Sequence, residues 1–324
     1  MDILWLILGL VLILVGANAL TDGASAIAKK WGVSDLVIGL TVVALGTSAP
    51  ELAISLVSAI QGNAPMAVGN VVGSNIFNIL VIIGIVAMVR PIIIQPSIMV
   101  NELPLVILSS LALFAAGSGP LLGVLGERVL IRPEAIMLLL FFMIFMRYTF
   151  AQARKGTVDN SDPAAQHAAS KQPMPMWKAV IWVLGGLAAL VYGGDRFVAG
   201  ASGIAASLGM SDAVIGLTVV AAGTSLPELA TSVTAALKGK TGIAVGNVIG
   251  SNIFNIFFVL GVTGTILPLP FGGVSEFDLI VMTAASILFW FFSWKFAQRT
   301  ITRWEGTALL AVYIAYIAIQ IQSL

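Results

Sequence analysis

The sequence contains no cysteine, which excludes disulfides, thiol catalysis and thiolate metal sites. Its one histidine, His167, sits in a polar stretch and reads as a solvated loop residue, so neither a Ser–His pair nor a two-histidine zinc motif can be assembled. Charge is also scarce. Only 10% of the residues are charged, where soluble domains carry about 25%, and the formal net charge of +1 gives no basis for a nucleic-acid partner.

Apolar residues take up the difference: 59% of the chain is hydrophobic and its mean hydropathy is +1.03. Runs such as Ile3–Val15, Ile136–Met146 and Leu309–Ile321 are nearly free of charge, and a helix needs about 20 apolar residues to cross a bilayer. The pattern predicts an all-α polytopic membrane protein with ten transmembrane helices, over residues 3–28, 36–61, 65–89, 102–117, 134–150, 177–205, 212–237, 242–267, 277–295 and 304–322. The first span lacks a basic leading region and a small-residue cleavage site, so it is not read as a signal peptide. The plainly polar stretch 151–176 reads as a flexible linker between a first five-helix half, 1–150, and a second, 177–324. It is too short for a folded regulatory domain.

The halves repeat each other. Gly16–Asn78 aligns with Gly193–Asn255 without a gap at an offset of 177, with 38 of 63 positions identical. An odd number of spans per half makes the second copy enter the membrane from the opposite side. The charges agree: Lys29 and Lys30 follow span one and no charge lies in the turn after span two, whereas Ala206 and Ser207 replace the lysines and Lys238 and Lys240 flank the turn after span seven. With alternating spans, the linker side holds 13 of the 16 Lys and Arg, and Arg128, Arg132 and Arg196 lie opposite. The positive-inside rule then places the linker in the cytoplasm and both termini outside a cell (inner) membrane. The halves are inverted-topology repeats.

Each half also carries a phrase that breaks a helix: GTSAPE at Gly46–Glu51 and GTSLPE at Gly223–Glu228. Glycine- and proline-interrupted spans at matching positions point to the binding site of a secondary transporter. Pro50 and Pro227 displace the carbonyls four residues earlier, which frees backbone oxygens around Ala44–Thr47 and Ala221–Thr224. Helical spacing sets Thr47, Ser48 and Ser55 on the face of Glu51, and Thr224, Ser225 and Ser232 on that of Glu228. Ser74 and Asn75 share a face with Asn78, as Ser251 and Asn252 do with Asn255. Glu51 and Asn78 each lie roughly 20 Å along a helix from the turn that joins spans two and three, near mid-membrane, and inversion brings Glu228 and Asn255 to the same level. No Lys or Arg stands at that depth to pair with the glutamates, and a lone carboxylate there costs on the order of 2.5–3.5 kcal/mol. A hard cation bound by carboxylate, amide and carbonyl oxygens resolves the conflict. Two glutamates balance one Ca²⁺, two Na⁺ or two protons, and ions competing for fixed charge give a route to exchange.

The phrases GTSAPE, GNVVGSNIFN, GTSLPE and GNVIGSNIFN resemble the paired alpha-repeats of the cation/calcium exchanger superfamily, especially prokaryotic sodium/calcium antiporters. The resemblance spans both halves. It implies alternating access, with spans one and six sliding past the bundle and Ca²⁺ moving one way while Na⁺ moves the other. It assigns central coordination to Glu51, Asn78, Glu228 and Asn255, flanking hydroxyl ligands to Thr47, Ser48, Ser74, Thr224, Ser225 and Ser251, and backbone ligands to Ala44 and Ala221. The substrates are then Ca²⁺ and Na⁺ in a lipid bilayer, no cofactor is needed, and one copy of the chain suffices. Sodium-driven members commonly carry aspartate where this chain has Asn255, which leaves a Ca²⁺/H⁺ antiporter as the alternative.

A cation channel would usually build a continuous pore by oligomeric symmetry, and here the symmetry is internal and inverted. The phrase YGGD at Tyr192–Asp195 loosely matches an intramembrane aspartyl-protease motif but has no evident intramembrane partner, so no enzyme is expected. The Gly69/Gly73 and Gly246/Gly250 spacings are read as helix packing, Asp35 and Asp212 as first-turn acids behind capping serines, and Glu102 and Glu276 as residues near the membrane interface.

Overall fold

The computed structural model describes residues 1–118, 128–154, 174–207, 221–295 and 299–322. In chain order the helices are α1 (Asp2–Trp31), α2 (Asp35–Ile60), α3 (Ala64–Val89), α4 (Ile98–Gly117), α5 (Arg132–Arg154), α6 (Met176–Ser207), α7 (221–237), α8 (Thr241–Ile266), α9 (Glu276–Lys295) and α10 (Arg303–Gln322). Among the described residues nine are long and apolar enough to cross a membrane. The seventh expected span begins outside the described residues and continues as α7. Most of the linker, with His167, and the Ser211–Asp212 cap also lie outside the described residues. The Ser34 cap is present: its hydroxyl accepts from the Val37 N–H at 3.3 Å.

Among the described residues five helices are not regular, α4 among them because it opens on a π-helical turn, Ile98–Glu102. The α-helical course of α2 stops at Thr47 and resumes at Ala49, and α7 is likewise divided between Thr224 and Leu226. One turn of α3, Asn78–Ile82, and the equivalent stretch of α8, Phe254–Leu260, are π-helical. The hairpin turns α2–α3 and α7–α8 are closed by glycines at matching positions, Gly62 at φ +85° and Gly239 at φ +75°, a conformation that costs other residues about 1–2 kcal/mol.

Contacts sort the chain into two compact units, and neither coincides with one half of the sequence. The first comprises Met1–Thr47 and Thr149–Val248, the second Ser48–Tyr148 and Ile249–Leu324. In the first unit α1 and α6 run antiparallel along a glycine seam. Gly9, Gly16 and Gly23 on α1 face Gly193, Gly186 and Ala179 on α6 so closely that a Cβ at Gly9, Gly16 or Gly23 would sit 2.4–2.8 Å from partner backbone. Equivalent helices of two repeats that pair antiparallel are inverted copies. Near the hairpin turn α7–α8, Asp22 on α1 pairs with Lys238 at 2.8 Å and Lys240 at 3.4 Å. Burial holds the Lys240 ammonium below its ordinary pKa, and Asp22 opposes that shift.

The second unit tests the inversion independently through its loops. Strand β1 (Ile92–Ile93), between α3 and α4, pairs with β4 (Thr300–Ile301), between α9 and α10. Strand β2 (Val129–Leu130), between α4 and α5, pairs with β3 (Leu269–Pro270), between α8 and α9. Halves in the same orientation would have put these partners on opposite membrane faces. Within this unit α3 packs on α10 and α4 on α9. The Ser110 and Ser286 hydroxyls meet at 2.9 Å in the α4–α9 contact. Phe141, Phe142 and Phe145 of α5 meet Phe254, Phe257 and Phe258 of α8 in edge-on and tilted ring contacts. Along their apolar stretches α8 and α3 are 94% and 83% buried and α10 only 11%, so most polar side chains of α3 and α8 are shielded from the surroundings.

Candidate functional site

In the second unit, Ser48 stands at the N-cap of the helix Ala49–Ile60 with Pro50 and Glu51 in the first turn. The Ser-x-Pro-Glu order has capping-box spacing, yet the serine side chain makes no cap bond. Glu51 is fully buried, at a helix start whose amide dipoles favour negative charge. The helix bearing Glu51, the helix Ala64–Phe77 bearing Ser74 and Asn75, and the π-helical segment bearing Asn255 pack against one another in all three pairings. Asn78 opens the π-helical turn that follows Phe77, and π-turns are frequent at functional positions.

The polar atoms here are used unevenly. Asn78 is 0% exposed, and among the described residues neither Oδ1 nor Nδ2 has a hydrogen-bond partner. The same holds for the buried Ser74 hydroxyl and for Oδ1 of Asn255. Leaving such a group unsatisfied costs about 1–3 kcal/mol, so several together mark a place built for something else. Asn255 Nδ2 donates to Asn75 Oδ1 at 3.1 Å, and Asn75 Nδ2 donates to the Asn252 carbonyl at 3.3 Å. Asn70 Nδ2 donates to the Glu51 carbonyl at 3.4 Å and the Ser55 hydroxyl at 3.3 Å, which ties α3 to the broken helix.

The first unit holds the matching set. Ser225 is the N-cap of Leu226–Leu237, again without a side-chain cap bond, and Glu228 lies in the first turn, fully buried. That helix packs on the segment Ala44–Thr47. Ala44, Thr47 and Ser225 are buried and Thr224 is half-buried. The Ser225 and Thr231 hydroxyls are buried with no hydrogen-bond partner among the described residues. Asn247 repeats the role of Asn70: its Nδ2 donates to the Glu228 carbonyl at 3.3 Å and the Ser232 hydroxyl at 3.0 Å, while its Oδ1 accepts from the Thr47 hydroxyl at 3.0 Å. Replacing Asn247 with Leu keeps most of the volume and drops all three bonds. The expected cost is about 1–3 kcal/mol, read as a lower thermal midpoint in detergent. Asn70→Leu, at a half-exposed position with two longer bonds, is expected to lose less.

All twelve residues expected at the site lie among the described residues. The second unit contains Ser48, Glu51, Ser74, Asn78, Ser251 and Asn255, and the first contains Ala44, Thr47, Ala221, Thr224, Ser225 and Glu228. Asn70 and Asn247 were missed, although their identical place in GNVVGSN and GNVIGSN was the available signal. Glu102, left out of the expected site, is 1% exposed and accepts from the Tyr148 hydroxyl at 3.1 Å within the second unit. Among the described residues no three acidic or histidine side chains cluster as in a resident metal centre.

Ten helices in two inverted sets, with buried oxygens at matched helix breaks, define a secondary transporter of cations. The family described as sodium/calcium exchanger protein matches residues 1–151 and 178–322. CaxA of Alkalimonas amylolytica is 39% identical over 315 residues, covering 97% of this chain and 96% of its own. Sodium/calcium exchanger MaX1 of Methanosarcina acetivorans is 35% identical over 347 residues, covering 98% of each chain. A solved structure of the sodium-calcium exchanger NCX_Mj superposes with a TM-score of 0.80 at 32% identity, covering 98% of this chain and 97% of that one. The chain belongs to the sodium/calcium exchanger family. It is a multi-pass membrane protein of the cation/Ca²⁺ antiporter type, not an enzyme.

Proposed function

We propose that the protein exchanges Ca²⁺ for Na⁺ across a cell membrane by alternating access, with the linker in the cytoplasm and both termini outside. Glu51, Asn78, Glu228 and Asn255 supply the central oxygens. The hydroxyls of Thr47, Ser48, Ser74, Thr224, Ser225 and Ser251 and the carbonyls of Ala44 and Ala221 flank them. The observation that carries this reading is Asn78, a fully buried amide with neither end hydrogen-bonded among the described residues, at the π-turn after a motif phrase. An amide oxygen of that kind, with carboxylates and hydroxyls, matches the oxygen donor set of Ca²⁺.

The donor set also bears on coupling. With asparagine at position 255, the two glutamates carry the site's whole negative charge, which one Ca²⁺ or two Na⁺ neutralise. The reading is tested by uptake of labelled Ca²⁺ into proteoliposomes under an outward sodium gradient or an outward proton gradient, with the membrane potential clamped. Uptake driven by sodium is expected. Uptake driven by protons alone would replace the coupling ion, and uptake indifferent to both gradients would contradict antiport. Asn255→Asp adds a third carboxylate and is expected to change sodium dependence and ion selectivity; an unchanged profile would contradict the charge argument.

A further inference from the structure

We propose that Asn75, which is not itself assigned to the cations, is a positioning residue that decides which end of the Asn255 amide faces them. This rests on the calcium/sodium reading above. The geometry contains one fixed point. The backbone carbonyl of Asn252 can only accept, so the Asn75 atom 3.3 Å from it is Nδ2. The other terminal atom of Asn75, 3.1 Å from Asn255, is then oxygen and also only accepts. The atom of Asn255 that meets it is therefore Nδ2. Each amide in the chain is oriented by the one before it.

The consequence falls on the remaining end of Asn255. Its Oδ1 is buried without a hydrogen-bond partner among the described residues. An unanchored amide can turn over and present its NH₂, which repels a cation. With Nδ2 held by Asn75, only oxygen is offered. The repeat does not do this twice. Asn78, the counterpart of Asn255 at an offset of 177, has neither amide atom hydrogen-bonded among the described residues. The two asparagines are therefore held differently although the phrases that carry them are nearly the same.

Asn75 also makes position 255 selective for an amide. An aspartate there would set a carboxylate oxygen against Asn75 Oδ1, two acceptors face to face. Relief would require Asn75 to turn over, which sets its oxygen against the Asn252 carbonyl instead. The residue thus holds the site at two carboxylates.

The test uses the full chain in sodium-loaded proteoliposomes and measures both half-saturating Ca²⁺ and maximal rate. Asn75→Ala is expected to raise half-saturating Ca²⁺ about 10-fold, the loss of roughly one oriented ligand, with little change in maximal rate. Asn75→Ser guards against misfolding, because a hydroxyl donates or accepts as required. Asn255→Asp is expected to be less damaging in the Asn75→Ser background than in the wild type. Folding of each variant is checked by monodisperse elution and thermal midpoint. Unchanged half-saturation in a folded Asn75→Ala protein would overturn the proposal, as would effects of Asn75→Ser and Asn255→Asp that simply multiply. A wild-type protein that moves no Ca²⁺ against sodium would remove the functional reading itself, an outcome distinct from both.

Discussion

Glu51→Gln or Glu228→Gln is expected to lower sodium-driven Ca²⁺ uptake by about 100-fold or more, with the double variant at the level of empty vesicles. Glutamine keeps the shape of the side chain and removes the charge. Both glutamates are fully buried at helix breaks, where a divalent ion that loses half of its balancing charge has no water to compensate it. Removing one partner of a buried charge pair costs about 3–5 kcal/mol, and each 1.4 kcal/mol is about tenfold in affinity. Glu51→Asp, which keeps the charge but withdraws it by one methylene, is expected to fall between. Initial uptake rates over a Ca²⁺ series, normalised to reconstituted protein, check all of these. Near-normal uptake by either folded glutamine variant would remove that residue from the site.

The second large effect concerns the scaffold. Gly16→Leu is expected to destabilise the first unit by about 3 kcal/mol or more. A Cβ at Gly16 would lie 2.8 Å from the Gly186 carbonyl and 3.0 Å from the Leu190 nitrogen, and one at Gly186 would lie 2.7 Å from the Leu20 nitrogen. These neighbours are backbone, so no side chain can swing aside. Nor is there a hydrophobic gain to offset the clash, because between membrane helices lipid is as apolar as leucine. Gly185→Ala is the control: nothing stands within 4 Å of its Cβ position, although it adjoins Gly186 in sequence. That change is expected to be neutral or stabilising by about 0.5–1 kcal/mol. Thermal midpoints in detergent separate the two cases, and equal midpoints would contradict the seam.

Much of this was legible in the sequence because the bilayer constrains it so strongly. Apolar length set the helix boundaries to within a few residues, and the doubled phrase with its charge asymmetry set the inversion that the β1–β4 and β2–β3 pairings bear out. The glycine seam was visible only in part. Gly9, Gly16 and Gly23, and Gly186, Gly193 and Gly200, recur every seven residues, but which helix they meet depends on tertiary packing. The π-turns at Asn78 and Phe254 leave no mark in hydropathy. The direction of the Asn255–Asn75–Asn252 chain also escaped, since three identical side chains carry no sign of which donates until the backbone carbonyl of Asn252 sets the order. The burial of Glu102 against Tyr148 was not legible either, because it depends on how α4 and α5 meet.

The central claim, one fixed-charge site shared by competing cations, is tested most directly by equilibrium binding of labelled Ca²⁺ to the purified protein across a series of sodium concentrations. One Ca²⁺ per chain is expected, displaced competitively and completely by Na⁺, and no saturable binding to the Glu51→Gln/Glu228→Gln protein. Ca²⁺ binding that survives in that variant, or that sodium cannot displace, would contradict the account.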